Sequence, residues 1–345
     1  MKRRVYDLEK MRSVVHGWKG KRVVVLGDVI LDEFILGRAN RVSREAPVVI
    51  VRYDKSIYSP GGAANAAQNI AALGGIAIPV AVIGDDESGS RLCGLLREMG
   101  VTTRNLIATR GLLTTTKTRI MAGDFHAQRQ QVVRIDREQD GSIPQPLENR
   151  LLAIFERELA RADAVLMSDY HQLLFTRRII GNSIAMCRAA RVPVMVDSRF
   201  RLNDFSGLTI ATPNEVEAAH AAGIDLSRGE SLDRIGRRLL KRLSARAILV
   251  TRGKFGMTLF ERGKRSLSVD VVGSMEATDV TGAGDTVAAA VSLTVAAGHT
   301  MPLAMTCANC AASIVVMKRG TAVASPAEIL EVMERLELDE RSPRD

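Results

Sequence analysis

Short β-branched runs separated by longer amphipathic stretches set the tightest limit on how this chain can fold. "RVVVLGD" (22–28), "IAIPVAVIGD" (76–85), "ADAVLMSD" (162–169), "VPVMVD" (192–197), "LTIATPN" (208–214) and "RAILVTRG" (246–253) all follow this pattern. A strand that is apolar on both faces must be covered on both. The alternation therefore predicts an α/β fold of three layers, with a mostly parallel central sheet between helices. Asp or Asn closes most of these runs. Open parallel sheets take their ligands outside the carboxyl ends of the strands, so the polar endings point to one shared crevice. Asp85 is set apart, as the N-cap of the helix-like "SGSRLCGLLREMG".

Two regions break the rhythm. "PVVIVRYDKSIYS" (47–59), and "TTTKTRIMAG" with "QQVVRID" (114–123 and 130–136), alternate apolar with polar residues and have no helix between them. They read as a small β-sheet standing off the main body as a lid, its strands within about 34–60 and 112–136. A chain of 345 residues then fits one large α/β unit, residues 1–345, with a small appendage.

Composition excludes several classes. Hydrophobic residues at 46% and charged residues at 25% support a sizeable core rather than disorder. The first twenty residues are charged throughout, and the longest weakly polar run, 287–298, is too short to cross a bilayer. The expectation is a cytoplasmic protein with no membrane partner. Four cysteines are too few for a disulfide framework. Cys307 and Cys310 form a CxxC, but "MTCANCAASIVV" reads as a buried helix face rather than a metal or redox site. The net charge of +9 is spread along the chain and is not interleaved with aromatics, which make up 4%. That disfavours nucleic acid and leaves room for a small anionic substrate.

"DVTGAGDTVA" (279–288) carries the chemistry. Glycines ahead of an alanine-rich helix let the backbone approach a ligand, and the first N–H groups of that helix suit negative charge. Asp285 stands where an anion would bind. A carboxylate there makes sense as a base, taking the proton of a hydroxyl that attacks a phosphoryl group held on those N–H groups. The plainer alternative is a helix-start residue favoured by the dipole. Asp279, just before the turn, reads as holding the loop by hydrogen bonds. "GGAANAAQNIAALG" (61–74) is a second Gly-Gly entry to a small-residue helix, with Asn65 and Asn69 on one face. In "TPNEVEA", Asn214 and Glu217 stand at i, i+3. They could serve the outer shell of a Mg²⁺ that keeps its waters, or a helix cap.

Together these segments resemble the ribokinase-like PfkB family of carbohydrate kinases over nearly the whole chain, from "VVVLGDVILD" to "RGTAVASP". "GDVILDEFILGRANRVSREAPVVIV", "SPGGAANAAQNIAALG" and "RQQVVRID" are most similar to the D-glycero-D-manno-heptose 7-phosphate kinases. The resemblance implies a ribokinase-like α/β/α sandwich with a β-sheet lid that excludes water. It implies an enzyme that uses ATP and Mg²⁺ to phosphorylate the anomeric hydroxyl of the heptose phosphate, giving a 1,7-bisphosphate on the route to ADP-heptose. A monovalent cation is left open.

Carried over by position, the resemblance makes Asp285 the base and the N–H groups of Gly282, Ala283 and Gly284 the anion hole. Asp28, Asp32, Gly61, Gly62 and Asn65 match its sugar contacts, with Asp169 in the "SDY" motif beside them. Asn214 and Glu217 match the Mg²⁺ and phosphate motif. Thr251, Gly253 and Gly256 in "VTRGKFG" lie along ATP with Asp279, and Asn309 flanks the adenine. Lys117 and Arg119 alternate on one lid strand, and Arg129 and Arg134 follow on the next, so a basic pocket for the sugar's own phosphate is expected.

The chain departs from the heptose kinase pattern at "SDYHQLL" and "VDSRFR", where lysines are usual. Arg199 stands near the second of these positions and Gln172 near the first, so the exact sugar stays open. Several heptose kinases also carry a nucleotidylyltransferase with a His-x-Gly-His site, and no such pair occurs among the five histidines here. Another sugar or nucleoside kinase, and a non-catalytic kinase-like binding subunit, are the alternatives. A dinucleotide-binding dehydrogenase is disfavoured because no GxGxxG follows the first strand. An apolar lid face with Val48, Ile50 and Tyr58 suggests a homodimer through the lid.

Overall fold

The run Val23–Leu26 has no exposed surface at all, because it forms the middle of a sheet rather than an edge. In the computed structural model, which describes residues 8–123, 130–226, 229–273 and 277–341, β1 (Arg22–Gly27) pairs in parallel with both β4 (Ile76–Gly84) and β8 (Ala164–Asp169). Between β1 and β4, the chain builds the long strands β2 (Val29–Val42) and β3 (Val49–Gly62). The sheet continues through β9 (Val194–Ser198), β10 (Ile210–Ala211) and β11 (Ala247–Thr251) on one side, and β5 (Leu106–Thr109) on the other. Two antiparallel strands, β12 (Met257–Glu261) and β13 (Leu267–Val269), finish one edge.

Helices cover both faces. On one lie α1 (Leu8–Gly17), α2 (Ala63–Ala72), α8 (Ala283–Ala296), α9 (Met301–Val315) and α10 (Pro326–Arg341). Against the rest of the sheet pack α3 (Glu87–Glu98), α4 (Gln145–Leu159), α5 (Arg177–Ala190), α6 (Glu215–Ala222) and α7 (Leu232–Arg242). The continuous apolar strands are buried as the sequence pattern requires. The segment 208–214 supplies only the two-residue β10, because Pro213 has no N–H to extend the ladder. The N-cap of α3 is Asp86, whose carboxylate accepts from the Gly89 N–H at 2.7 Å. Asp85, expected in that role, instead faces Arg110 at 3.5 Å.

The lid is a separate sheet in the order β3-β2-β6-β7, with β6 at Thr116–Gly123 and β7 at Gln130–Arg137. β2 leaves the main body directly after Asp28, so lid and central sheet share a covalent hinge one residue long. Tyr58, expected on an open apolar face, is turned toward α3. Arg91 lies over its ring at 4.1 Å and its hydroxyl donates to Glu33 at 3.0 Å. The apolar residues that the lid does expose include Val48, Val49, Tyr53, Ile57, Val133 and Ile135.

Candidate active site

Asp285 is the third residue of α8, whose N-cap Gly282 adopts φ 79°. A Cβ on Gly282 would lie 2.6 Å from Asn65 Nδ2. The left-handed turn and the close approach of α2 both require glycine there. The Asp285 carboxylate is buried and held from two sides. Asn65 Nδ2 donates to Oδ2 at 2.6 Å, and the Tyr170 hydroxyl donates to Oδ1 at 2.8 Å. Asn65 is fixed in turn by Gln68 Nε2 at 2.7 Å and Asn69 Nδ2 at 3.1 Å, both donating to its Oδ1. Thr286 closes the relay by donating to Asn69 Oδ1 at 2.8 Å.

Burial pushes Asp285 up to about 6, against hydrogen bonds from Asn65 and Tyr170 and the charge of Arg199, which pull down. Such a carboxylate is ionised at neutral pH and more basic than a free aspartate. Around it, the backbone N–H groups of Gly282 and Gly284 have no partner among the described residues. That of Ala283, expected with them, is engaged with the Val280 carbonyl at 3.2 Å. Asp279 holds the turn, accepting from the N–H groups of Thr281 and Gly320, both at 2.9 Å. Its partial burial pushes the carboxyl up, but these bonds and the charge of Arg119 outweigh that and leave it below the usual range.

The other acids divide into two kinds. Asp28 accepts backbone N–H bonds from Tyr170, Gln172 and Leu174 at 3.0, 3.1 and 3.3 Å. Asp169 is fully buried against Ser198 at 2.6 Å and Arg201 at 2.8 Å. Both were expected to contact sugar. They instead shape the segment that presents Tyr170, and burial, with the neighbouring charge of Asp169, pushes Asp28 up to about 6. Asp32 lies near enough to Asp285 for its charge to push that carboxyl up. It accepts from Arg119 at 2.6 Å, and a Cβ on Gly61 would lie 2.4 Å from its Oδ2. Gly62 is equally constrained, at φ 56° over the Asp28 carbonyl.

On the lid, Lys117 lies opposite Asp32, and Arg119 lies opposite Arg134. The shared face is present, but it is not a free basic pocket. Each cation has an acid: Arg119 with Asp32, Lys117 with Glu138 at 3.6 Å, and Arg134 with Asp136 at 2.9 Å. Arg129 lies outside the described residues.

Asn214 and Glu217 form a capping box on α6, each accepting the other's N–H at 2.9 Å. This is the helix-cap alternative, and it leaves one Glu217 oxygen uncommitted. Asp197, at the end of β9, shares their neighbourhood. Burial, then the charges of Asp285 and Glu217, push it up to about 8. Arg199, which lies over the Tyr170 ring at 4.8 Å, opposes that excess. No group of three acidic, His or Cys side chains among the described residues is placed to bind a bare metal ion. The crowded carboxylates do fit a divalent cation that keeps its waters.

Beside Asn214, Thr251 forms an isolated β-bridge to it, and the turn to Gly256 carries positive φ at Gly253 and Gly256. A Cβ on Gly256 would meet the Val269 carbonyl at 2.0 Å. Asn309, on α9, donates to the Asp270 carbonyl at 2.7 Å. Cys307 and Cys310 are buried on the same helix, with burial pushing Cys310 up to about 12. Sequence reasoning passed over Tyr170 and Asp197. The rule that ligands gather at strand ends pointed to Asp197 without singling it out, whereas nothing local marked Tyr170.

Comparison with known proteins identifies the family and the fold. The model of the pfkB family of carbohydrate kinases matches residues 21–328. The bifunctional protein HldE of Caulobacter vibrioides is 39% identical over 327 residues, covering 93% of this chain and 65% of that protein. Its counterpart in Desulfatibacillum aliphaticivorans is 36% identical over 309 residues, covering 89% and 62%. The chain thus spans a little under two thirds of the length of these relatives. Among solved structures, Arabidopsis thaliana ribokinase complexed with ribose and ATP superposes with TM-score 0.71 at 19% identity, covering 91% of this chain and 99% of that one. Escherichia coli phosphofructokinase-2 in complex with fructose-6-phosphate does so with TM-score 0.71 at 16% identity, covering 92% and 99%. The fold is ribokinase-like, and the chain belongs to the PfkB family of carbohydrate kinases.

Proposed function

We propose that this kinase phosphorylates a sugar phosphate with ATP, and that D-glycero-D-manno-heptose 7-phosphate, converted to its 1,7-bisphosphate, is the substrate. The carrying observation is the Asp285 carboxylate, buried at a helix entry and aimed by Asn65 and Tyr170. Asp285 takes the proton of the acceptor hydroxyl as its oxygen attacks the terminal phosphoryl group. The open N–H groups of Gly282 and Gly284 receive the charge that develops there. Asp197 and Glu217 would hold a hydrated Mg²⁺, which when bound would supply charge neutralisation on the phosphates. The turn 251–256, the start of α6 and Asn309 border the nucleotide, and Asp32 contacts the sugar.

Lys117, Arg119 and Arg134 receive the 7-phosphate. Their present partners include exposed carboxylates, and exposed pairs are worth only about 0–1 kcal/mol, so a phosphate dianion competes. The neutralised lid favours a second reading, a kinase for a sugar without that phosphate. Assaying products by mass spectrometry across heptose 7-phosphate, fructose 6-phosphate, ribose and a nucleoside separates the two. The heptose phosphate should gain one phosphate at C1 with the highest kcat/KM. Equal or better turnover of an unphosphorylated sugar would reject the assignment.

A further inference from the structure

At the end of the sheet away from Asp285, where β9, β10 and β11 begin, a cleft of about 460 Å³ opens beside the last turn of α5 and the α8–α9 link. Arg188, Arg191, Arg246 and His299 line it, and no Asp or Glu does. None of the three guanidinium groups has an ion pair or side-chain hydrogen bond among the described residues. The contrast with the basic face of the lid is sharp, since there Lys117, Arg119 and Arg134 each meet an acid. Three like charges around one cleft repel each other and gain only when an anion enters.

Backbone features are consistent with a fitted site. Arg191 ends α5 at φ 57°, a position where glycine is the less strained residue. A Cβ on Gly207 would lie 2.4 Å from Arg188 Nη2, so the wall is shaped to admit that guanidinium. Pro193 and Leu208 add an apolar floor. The size falls within the roughly 300–1,000 Å³ usual for small-ligand pockets.

We infer that this cleft binds a second, phosphorylated ligand: a metabolite with at least two phosphate charges and an apolar or aromatic body of nucleotide size. Arginine is the side chain suited to grip such phosphates in a fork. The cleft is distinct from the catalytic crevice. On α8 alone, ten residues separate Asp285 from Val295 of the cleft lining, or about 15 Å of helix.

His299 gives a local readout. In the full chain, its imidazole signal in ¹H–¹³C spectra, assigned with His299→Gln, is followed during titration with ADP and, separately, inorganic pyrophosphate. The signal should move saturably in the wild type. In Arg188→Gln/Arg246→Gln the apparent affinity at His299 should fall about tenfold or more, while kcat and thermal melting stay as in the wild type. The charge-keeping Arg188→Lys/Arg246→Lys should fall between the two. A His299 signal unmoved at millimolar ADP, or one that moves equally in the glutamine variant, would overturn the inference. In the second case the shift would be relayed from the catalytic site.

Discussion

Near a helix N-terminus an exposed aspartate gains from the dipole and stays acidic, yet Asp285 is pushed up to about 6 because burial outweighs its hydrogen bonds. The Tyr170 hydroxyl favours the ionised form, so Tyr170→Phe should raise the pKa further. A hydrogen bond to a charged group is worth roughly 1.5–3 kcal/mol, and 1.36 kcal/mol is one pH unit. The acid limb of the kcat/KM profile should therefore move upward by about one to two units, and a superimposable profile would refute the coupling. Asp285 was legible in sequence because its glycines and its helix adjoin it in the chain. Tyr170 was not, because it meets Asp285 across 115 residues. Asp28 and Asp32 look alike in "GDVILD", and only the fold shows that Asp28 faces loop amides while Asp32 faces Arg119.

At the scale of elements, the junction of α2 and α8 sets the site. Both helices are built largely of small residues, and a polar relay from Thr286 through Asn69 to Asn65 joins them. Asn69→Ala would leave the Thr286 hydroxyl and the Asn65 carbonyl oxygens short of partners in a buried place. A cost of about 1–3 kcal/mol is expected, read as a lowered denaturant midpoint; an unchanged midpoint would show the relay to be dispensable. The Gly-Gly entry and the two asparagines make α2 readable from its residues alone. The edge strands are harder. β5 and β13 are four and three residues long, too short for periodicity to register. β1 of the central sheet passes into β2 of the lid with only Asp28 between them, so no run of turn residues marks where one sheet ends.

For the whole molecule, the crowded carboxylates tie stability to pH. Asp28 and Asp285 are pushed up to about 6 and Asp197 to about 8, from the ordinary 3.8. Between about pH 4 and pH 8 the folded chain then holds more protons than the unfolded one, so these groups lower stability as pH rises. Carboxylates held below the usual range, Asp86, Glu158, Asp279 and Glu328, act in the opposite sense, but only below about pH 4. The ligand-free protein should therefore be less stable at pH 8 than at pH 5 by denaturant titration. A flat or rising curve would mean the acids are solvated. The exposed apolar residues of the lid, among them Val49, Tyr53 and Ile135, lead to the proposal of a homodimer through that sheet. Sedimentation should give a dimer that Ile135→Lys weakens, and a monomer in the unsubstituted protein would dismiss it.

The most direct test of the catalytic proposal is the turnover of Asp285→Asn with ATP and heptose 7-phosphate. The amide keeps the shape, and its oxygen can still accept from Asn65 while Tyr170 turns to accept from its nitrogen. Fold and ligand binding should therefore persist while kcat falls by about 10²-fold or more. Turnover like that of the wild type would show that this carboxylate does not take the proton.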